Sequence, residues 1–453
     1  MSDPPGRGRR RTSVSSLRRW LTPGIGIKRW LGVVFLGELG LVFGLAFVLR
    51  QVYREVELPE PIRSIVSFLT LQSLPYWLRA LVLAAAGIAL FAFAAWKVVG
   101  VIMGPYRSDD EDRPLVEVIY QKRFLARGPR IVALGGGTGL STLLRGLKEH
   151  TSNLTAVVTV ADDGGSSGKL RTQVGLPPVG DIRNCIVALA DAEPLMGRLL
   201  QYRFPGEDGP ESLAGHAVGN LLIAAMTAVE GGDFEEGVRQ MNRVLAVRGR
   251  VVPASSTPLV LHARLGDGRE VVGQSQIAKT SGIERVWLTP ESATAAGDAV
   301  DAIAEADLIV IGPGSLFTSV LPSLLLPEIR DALLASSAPR VYVCNVATQP
   351  GETTGFDLAD HLEAIDRHVS CDVVDLVLAN SATVPVGSLP HAVGVHLRWP
   401  PNVDRQPRLV LDDLLDPAAP NWHDPARLAA ALLRIAEREG AGRRRGGASA
   451  RSA

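Results

Sequence analysis

Two long apolar runs lie near the start of the chain. Beyond them the apolar residues break into strand-length clusters separated by polar loops and helical patterns. Residues 31–49 are almost continuously apolar, interrupted by Glu38, and match the roughly 20 residues that cross a hydrocarbon core. Residues 80–103 form a second such run, with Tyr76 and Trp77 before it, Tyr106 after it and Lys97 placed to snorkel. Together they predict a two-helix transmembrane hairpin over 30–104. Arg7, Arg9, Arg10, Arg11, Arg18, Arg19, Lys28 and Arg29 precede the first run, which by the positive-inside tendency puts the N-terminus in the cytoplasm. Two crossings return the rest of the chain there, so the expected location is the membrane, with the globular part cytoplasmic. No small-residue cleavage pattern follows the first run, which argues against a signal peptide. Glu38 and Lys97 are the only ionisable groups in the two runs, too few for a transport path, and the sequence defines no role for either.

From residue 130 the pattern changes to strand, polar loop, helix, repeated. That order predicts an α/β domain over 130–437, with a largely parallel sheet, helices on both faces and ligands at the carboxyl ends of the strands. A basic tail over 1–29, a charged linker over 105–129 and a basic tail over 438–453 flank these parts and read as disordered or linking segments.

Several strand ends carry chemistry. IVALGGGTGLSTLLRGLK runs from a strand into a glycine-rich turn and a helix; Gly136, Gly137 and Gly139 let the backbone approach an anion, the helix start offers free N–H groups, and Thr138 and Ser141 add hydroxyls. The spacing completes neither the dinucleotide fingerprint nor a P-loop, and a turn that serves only packing would read alike. TAVVTVADDGGSSGKLR ends a strand in Asp162 and Asp163, followed by Ser166. Such carboxylates suit a ribose hydroxyl or a hard cation such as Mg²⁺, or act as helix caps. LPPVGDIRNCIVALAD places Asp181 as an N-cap, with Arg183 in the first turn, where a cation opposes the helix dipole and so faces an anion. LAGHAVGNLLIAAM sets His216 and Asn220 four apart on one helix face, either in the core or against a ligand. DLIVIGPGSLFTSVLP repeats the first logic with Gly314 and Ser315. VYVCNVATQPGETTGF ends a strand at Asn345 and adds Thr348, Gln349, Glu352 and Thr353 as groups for sugar hydroxyls or a base edge.

Composition excludes some partners. With 47 basic and 47 acidic residues the chain has no net electrostatic footprint for nucleic acid. Cys185, Cys344 and Cys371 are far apart and lack metal-ligand spacing, so each reads as a small apolar residue and neither disulfide nor zinc site is expected.

The ordered blocks quoted above resemble the gluconeogenesis factor family of bacteria, which is related to 2-phospho-L-lactate transferase. The resemblance covers about residues 130–380. It implies a Rossmann-like, doubly wound domain and binding of a nucleotide sugar such as UDP-N-acetylglucosamine, with a part in cell shape and envelope maintenance during gluconeogenic growth. The matching positions put phosphate at Gly136, Gly137, Thr138, Gly139, Gly314 and Ser315. Asp162, Asp163, Asp181 and Asn220 match polar positions of the transferase branch. There the three aspartates would be catalytic, Asp162 or Asp163 holding Mg²⁺, and Asn220 would bind ligand, in phospholactyl transfer from a guanosine diphosphate donor to a deazaflavin. No other cofactor is implied, and a homo-oligomer is left open. The C-terminal part departs from the family pattern: residues 390–400 contain no Tyr, and Trp422 stands before His423 and Asp424.

Overall fold

The computed structural model describes residues 124–449 apart from 191–193, 206–212, 383–392 and 400–406, together with scattered positions between 38 and 93. The chain divides into two compact units, Met1–Lys122 and Arg123–Ala453. Most of the hairpin expected over 30–104 lies outside the described residues, as do the 1–29 tail and most of the 105–129 linker. Leu81, Ile88, Leu90 and Phe91, which are described, are helical and exposed. Among the described residues no helix is long and apolar enough to cross a membrane.

The second unit is built on strand β1 (Ile131–Gly135), whose five residues are all buried, as expected of a central strand covered on both faces. On one side lie β2 (Leu154–Val158) and β3 (Arg250–Pro253). Three antiparallel strands follow in the chain, β4 (Val260–Leu265), β5 (Glu270–Val272) and β6 (Ile283–Thr289), as a small separate sheet of order β5-β4-β6. The chain then returns to the other side of β1 with β7 (Leu308–Ile311), β8 (Arg340–Val343), β9 (Leu376–Asn380) and β10 (Arg408–Asp412). The seven-stranded order is β10-β9-β8-β7-β1-β2-β3, and every pairing in it is parallel. A hairpin of β11 (Leu415–Asp416) and β12 (Ala419–His423) precedes the helix Pro425–Ser449, which extends into the arginine-rich segment expected as a tail.

The fold is therefore α/β and Rossmann-like. The inserted antiparallel sheet is an addition that the strand-loop-helix pattern does not announce.

The helix Gly137–Leu147 that joins β1 to β2 buries Leu140, Leu143, Leu144 and Leu147, a single apolar stripe at helical spacing. Strand order reverses between β1 and β7, and this is the topological switch point of a doubly wound sheet. Leu134 pairs with Val157 on one side and Ile311 on the other, so the turns after β1, β2 and β7 leave the sheet at one level.

Candidate functional site

A cavity of about 310 Å³ opens at the switch point. Its walls are the turn after β1 (136–139), the turn after β7 (313–315, with Ser319), the loop after β8 (345–350) and the end of the β11–β12 hairpin (421–423). The first two walls touch. A Cβ on Gly139 would lie 2.7 Å from the Pro313 carbonyl oxygen, so any side chain there would force the turns apart. Neither the N-cap Gly136 of the first helix nor the N-cap Ser315 of the segment after β7 caps its helix with a side chain. First-turn amides have no partner within a helix; Asp181 takes that of Gly137 and Glu352 takes those of Phe317 and Thr318, so the other first-turn amides are the donors left to an acidic ligand.

Side chains cross-brace the rest of the wall. Asn345 Nδ2 donates to the Gly314 carbonyl at 2.9 Å, and Ser315 Oγ donates to Gln349 Oε1 at 2.6 Å. His423 Nε2 lies 3.2 Å from the Cys344 carbonyl, and burial pushes this imidazole down to about 4. It is therefore neutral, with the proton on Nε2 to make that bond. Of the residues expected from sequence, Gly136, Gly137, Thr138, Gly139, Gly314, Ser315 and Asn345 line the cavity. Ser141 does not: its hydroxyl donates to the Gly137 and Thr138 carbonyls of its own helix.

A second group of expected residues gathers on the β2 side of the first turn. Asp181 is not the expected N-cap, because its helix starts at Gly180 with Val179 as the cap. Its carboxylate instead accepts from the Gly137 amide, and a Cβ on Gly136 would lie 2.5 Å from its Oδ2. Burial raises the Asp181 carboxyl to about 6, and neighbouring Asp162 adds to the rise. Asp162 accepts from the Gly164 amide at 2.9 Å and from Ser167, and burial raises its carboxyl too. Asp163 turns away and accepts from the Ser275 amide at 2.8 Å, at the start of the helix Gln274–Ile277 in the inserted region.

Arg183 is buried, and its guanidinium donates to Asn220 Oδ1 and Asn184 Oδ1, each at 2.9 Å. Asn220 Nδ2 donates to Ser166 Oγ at 3.0 Å, and Ser166 Oγ lies 3.2 Å from His216 Nδ1. Ser166, Arg183, His216 and Asn220 thus form one chain of polar contacts. Lys169 and Arg171, on the helix after Asp163, donate to the Ala214 and Leu259 carbonyls. Glu352 and Thr353 lie in the interior rather than on a polar surface. Among the described residues no three His, Cys, Asp or Glu converge as a metal cage.

A further depression of about 230 Å³ lies at the amino ends of β1 and β2, lined in part by Arg130, Thr155, Arg250 and Glu305. Arg130 is paired with Asp307 and Arg250 Nε donates to Thr155, and no uncapped helix start faces it. The carboxyl-end cavity is the candidate site.

Sheet order and glycine turns together define a Rossmann-like α/β protein with a glycine-walled cavity at its switch point. A family model described as 2-phospho-L-lactate transferase CofD matches residues 131–405, and the chain belongs to that family. Its relatives are named gluconeogenesis factors. The Bacillus subtilis gluconeogenesis factor is 51% identical over 58% of this chain and 81% of its own length. A Nostoc relative is 43% identical over 94% of both chains, an alignment that takes in most of the N-terminal unit. A crystal structure of a Bacillus halodurans protein superposes with a TM-score of 0.63 at 43% identity, covering 68% of this chain and all of that one.

The buried Asp181 carboxyl makes a stability prediction. Unfolded, it ionises near 3.8; folded, it keeps its proton to about 6, so the folded state binds more protons in that window. Stability therefore falls as pH rises from the lower value to the upper one and is flat above it. Asp181→Asn should raise unfolding free energy by about 3 kcal/mol above neutrality and leave it unchanged near pH 4. Denaturant titrations at the two pH values check this; a wild-type/variant difference that is constant with pH contradicts it.

Proposed function

We propose that this protein is a membrane-tethered regulator that binds a nucleotide sugar of the UDP-N-acetylglucosamine type and acts in cell shape and envelope maintenance during gluconeogenic growth. The observation that carries the reading is two helix starts whose own N-cap residues make no side-chain cap, meeting across one cavity at the switch point, with Trp422 at its edge. A diphosphate would reach, on both sides, the first-turn amides that Asp181 and Glu352 do not take. The Trp422 ring offers a face for a base, and the loop after β8 supplies polar groups for the sugar. Binding of this kind needs no nucleophile. The tether is the apolar pair of runs within 30–104, which carries the protein to the inner face of the membrane with both its N-terminus and its globular part in the cytoplasm.

A second reading is favoured by the carboxylates beside the first turn. Metal-assisted phosphoryl transfer depends on charge neutralisation and alignment more than on a covalent intermediate. Asp162 or Asp163 would hold Mg²⁺ together with substrate oxygens and water, the partial protein shell this ion accepts. Asp181 would orient the turn. In this reading the chain transfers a phospholactyl group from a guanosine diphosphate donor to a deazaflavin.

Three measurements separate these claims. Calorimetry with the full-length protein should show saturable UDP-N-acetylglucosamine binding without turnover, weakened by at least about tenfold in Gly139→Ala, whose methyl forces the two turns apart. Absence of binding by the wild type rejects the nucleotide-sugar reading. Product formation from a deazaflavin acceptor with Mg²⁺, lost in Asp163→Asn, would establish the transferase instead. Fractionation of intact cells should place the full chain with the membranes, and recovery of unproteolysed protein in the soluble fraction rejects the tether.

A further inference from the structure

Glu352 lies against the segment that follows the second glycine turn, and the cavity chemistry above makes no use of it. Its side chain is 1% exposed. One carboxylate oxygen accepts from the Phe317 amide at 3.1 Å, the other accepts from Thr318 Oγ1, and the Thr318 amide donates to the same carboxylate. All three donors belong to the π-helical segment Leu316–Val320, whereas Glu352 belongs to the loop after β8. Among the described residues no Lys, Arg or His pairs with it. The same loop grips the turn a second time, through Gln349 and Ser315. Ser315 and Ser319, on either side of the gripped residues, both line the cavity. Single π turns are frequent at functional sites because they re-aim backbone groups.

We infer that Glu352 is a positioning residue of the ligand cavity, whose buried carboxylate clamps the start of the 316–320 segment to the loop after β8 and so places Ser315 and Ser319 for an anionic ligand. The inference deepens the nucleotide-sugar reading and rests on it for the identity of the ligand. The clamp itself does not depend on that identity. An amide cannot replace the carboxylate, because it would bring two donors to a place where three donors already converge. Loss of an acceptor there leaves backbone amides buried without partners.

Burial raises the Glu352 carboxyl to about 7. Above that value three donors meet a carboxylate; below it the acid's own O–H competes with them and the clamp loosens. The other titratable or charged side chains on the elements packed around it are few. His361 and His368, on the helix Leu358–Val369, contact Phe356 and Phe317; Lys279 lies below Gly351; Asp163 holds Ser275, next to the Gln274 that bonds to Thr318. Burial holds His361 down at about 4 and lowers His368, so neither gains charge at neutrality.

Hydrogen exchange on the ligand-free full-length protein tests the clamp. Corrected for intrinsic rates, protection of the 316–320 amides should fall at least about fivefold from about pH 8 to about pH 6, and should be low and pH-independent in Glu352→Gln. At the higher pH, Glu352→Gln should also bind UDP-N-acetylglucosamine at least about fivefold more weakly than the wild type. A wild-type profile that is flat across this range overturns the inference even if the variant does not fold. Smaller loss of affinity in a folded variant overturns it as well. If the wild type does not bind the nucleotide sugar at all, the ligand reading fails, and the exchange profile still decides the clamp.

Discussion

The approach of the β1 turn to the β7 turn is the contact on which the site depends. With the Gly139 Cα facing the Pro313 carbonyl at a distance that no Cβ could share, two helix starts that are remote in sequence open onto one space. Two features of the sheet make this approach possible. Strand order reverses between β1 and β7, so no helix layer crosses the gap, and the matched register of Leu134 with Ile311 brings both turns out at one height. Each helix start alone is a weak anion site.

Holding the turns in place falls to buried polar groups, which are costly unless satisfied. On one side Asp181 takes the Gly137 amide, and the connected group Arg183, Asn220, Ser166 and His216 fixes the helices behind it. On the other, Glu352 and Gln349 tie the second turn to the loop after β8, and Asn345 holds the Gly314 carbonyl. The inserted antiparallel sheet joins the two sides. Its short helix receives Asp163 at Ser275 and sends Gln274 to the Thr318 carbonyl. A region that reads as an appendage in the topology therefore couples the loops after β2 and β7.

Local features were legible in the sequence and long-range ones were not. The turns at Gly136–Gly139 and Gly314–Ser315 announce themselves because strand, glycines and helix are contiguous. His216 and Asn220 do not share a helix face as their spacing suggests, because the helix begins at Val218, after His216; they meet instead through Ser166 Oγ. Asp181 was assigned as a cap because caps are a local habit; its carboxylate instead reaches the Gly137 amide, 44 positions away in the chain, counting from 137 to 181. Ser141 looked like a ligand donor, yet a serine inside a helix can return its hydroxyl to its own carbonyls, and this one does. Glu352 reads as a group for a sugar hydroxyl or a base edge, since nothing within ten positions signals that Phe317 and Thr318 will enclose it. Trp422 and His423 stood out only as a departure from the family pattern. Their arrival at the cavity depends on the β11–β12 hairpin folding back over the strand ends, and short polar strands carry little periodic signal.

The carboxylates weigh the two functional readings against each other. Asp163 already accepts from Ser275, and Asp162 from Gly164 and Ser167, so a metal bound there would compete with donors that shape the loop. Asp181 is engaged with Gly137, the residue that a phosphate would also approach. A diphosphate between the two helix starts leaves the contacts of Asp162 and Asp163 as they are and needs only the first-turn amides that Asp181 and Glu352 do not take. Its negative charge would in turn favour protonated Asp181 over the carboxylate, and burial has already moved that carboxyl toward neutrality. The arrangement is thus closer to receiving an anion than to holding a cation, and binding requires less rearrangement of this site than metal-assisted transfer does.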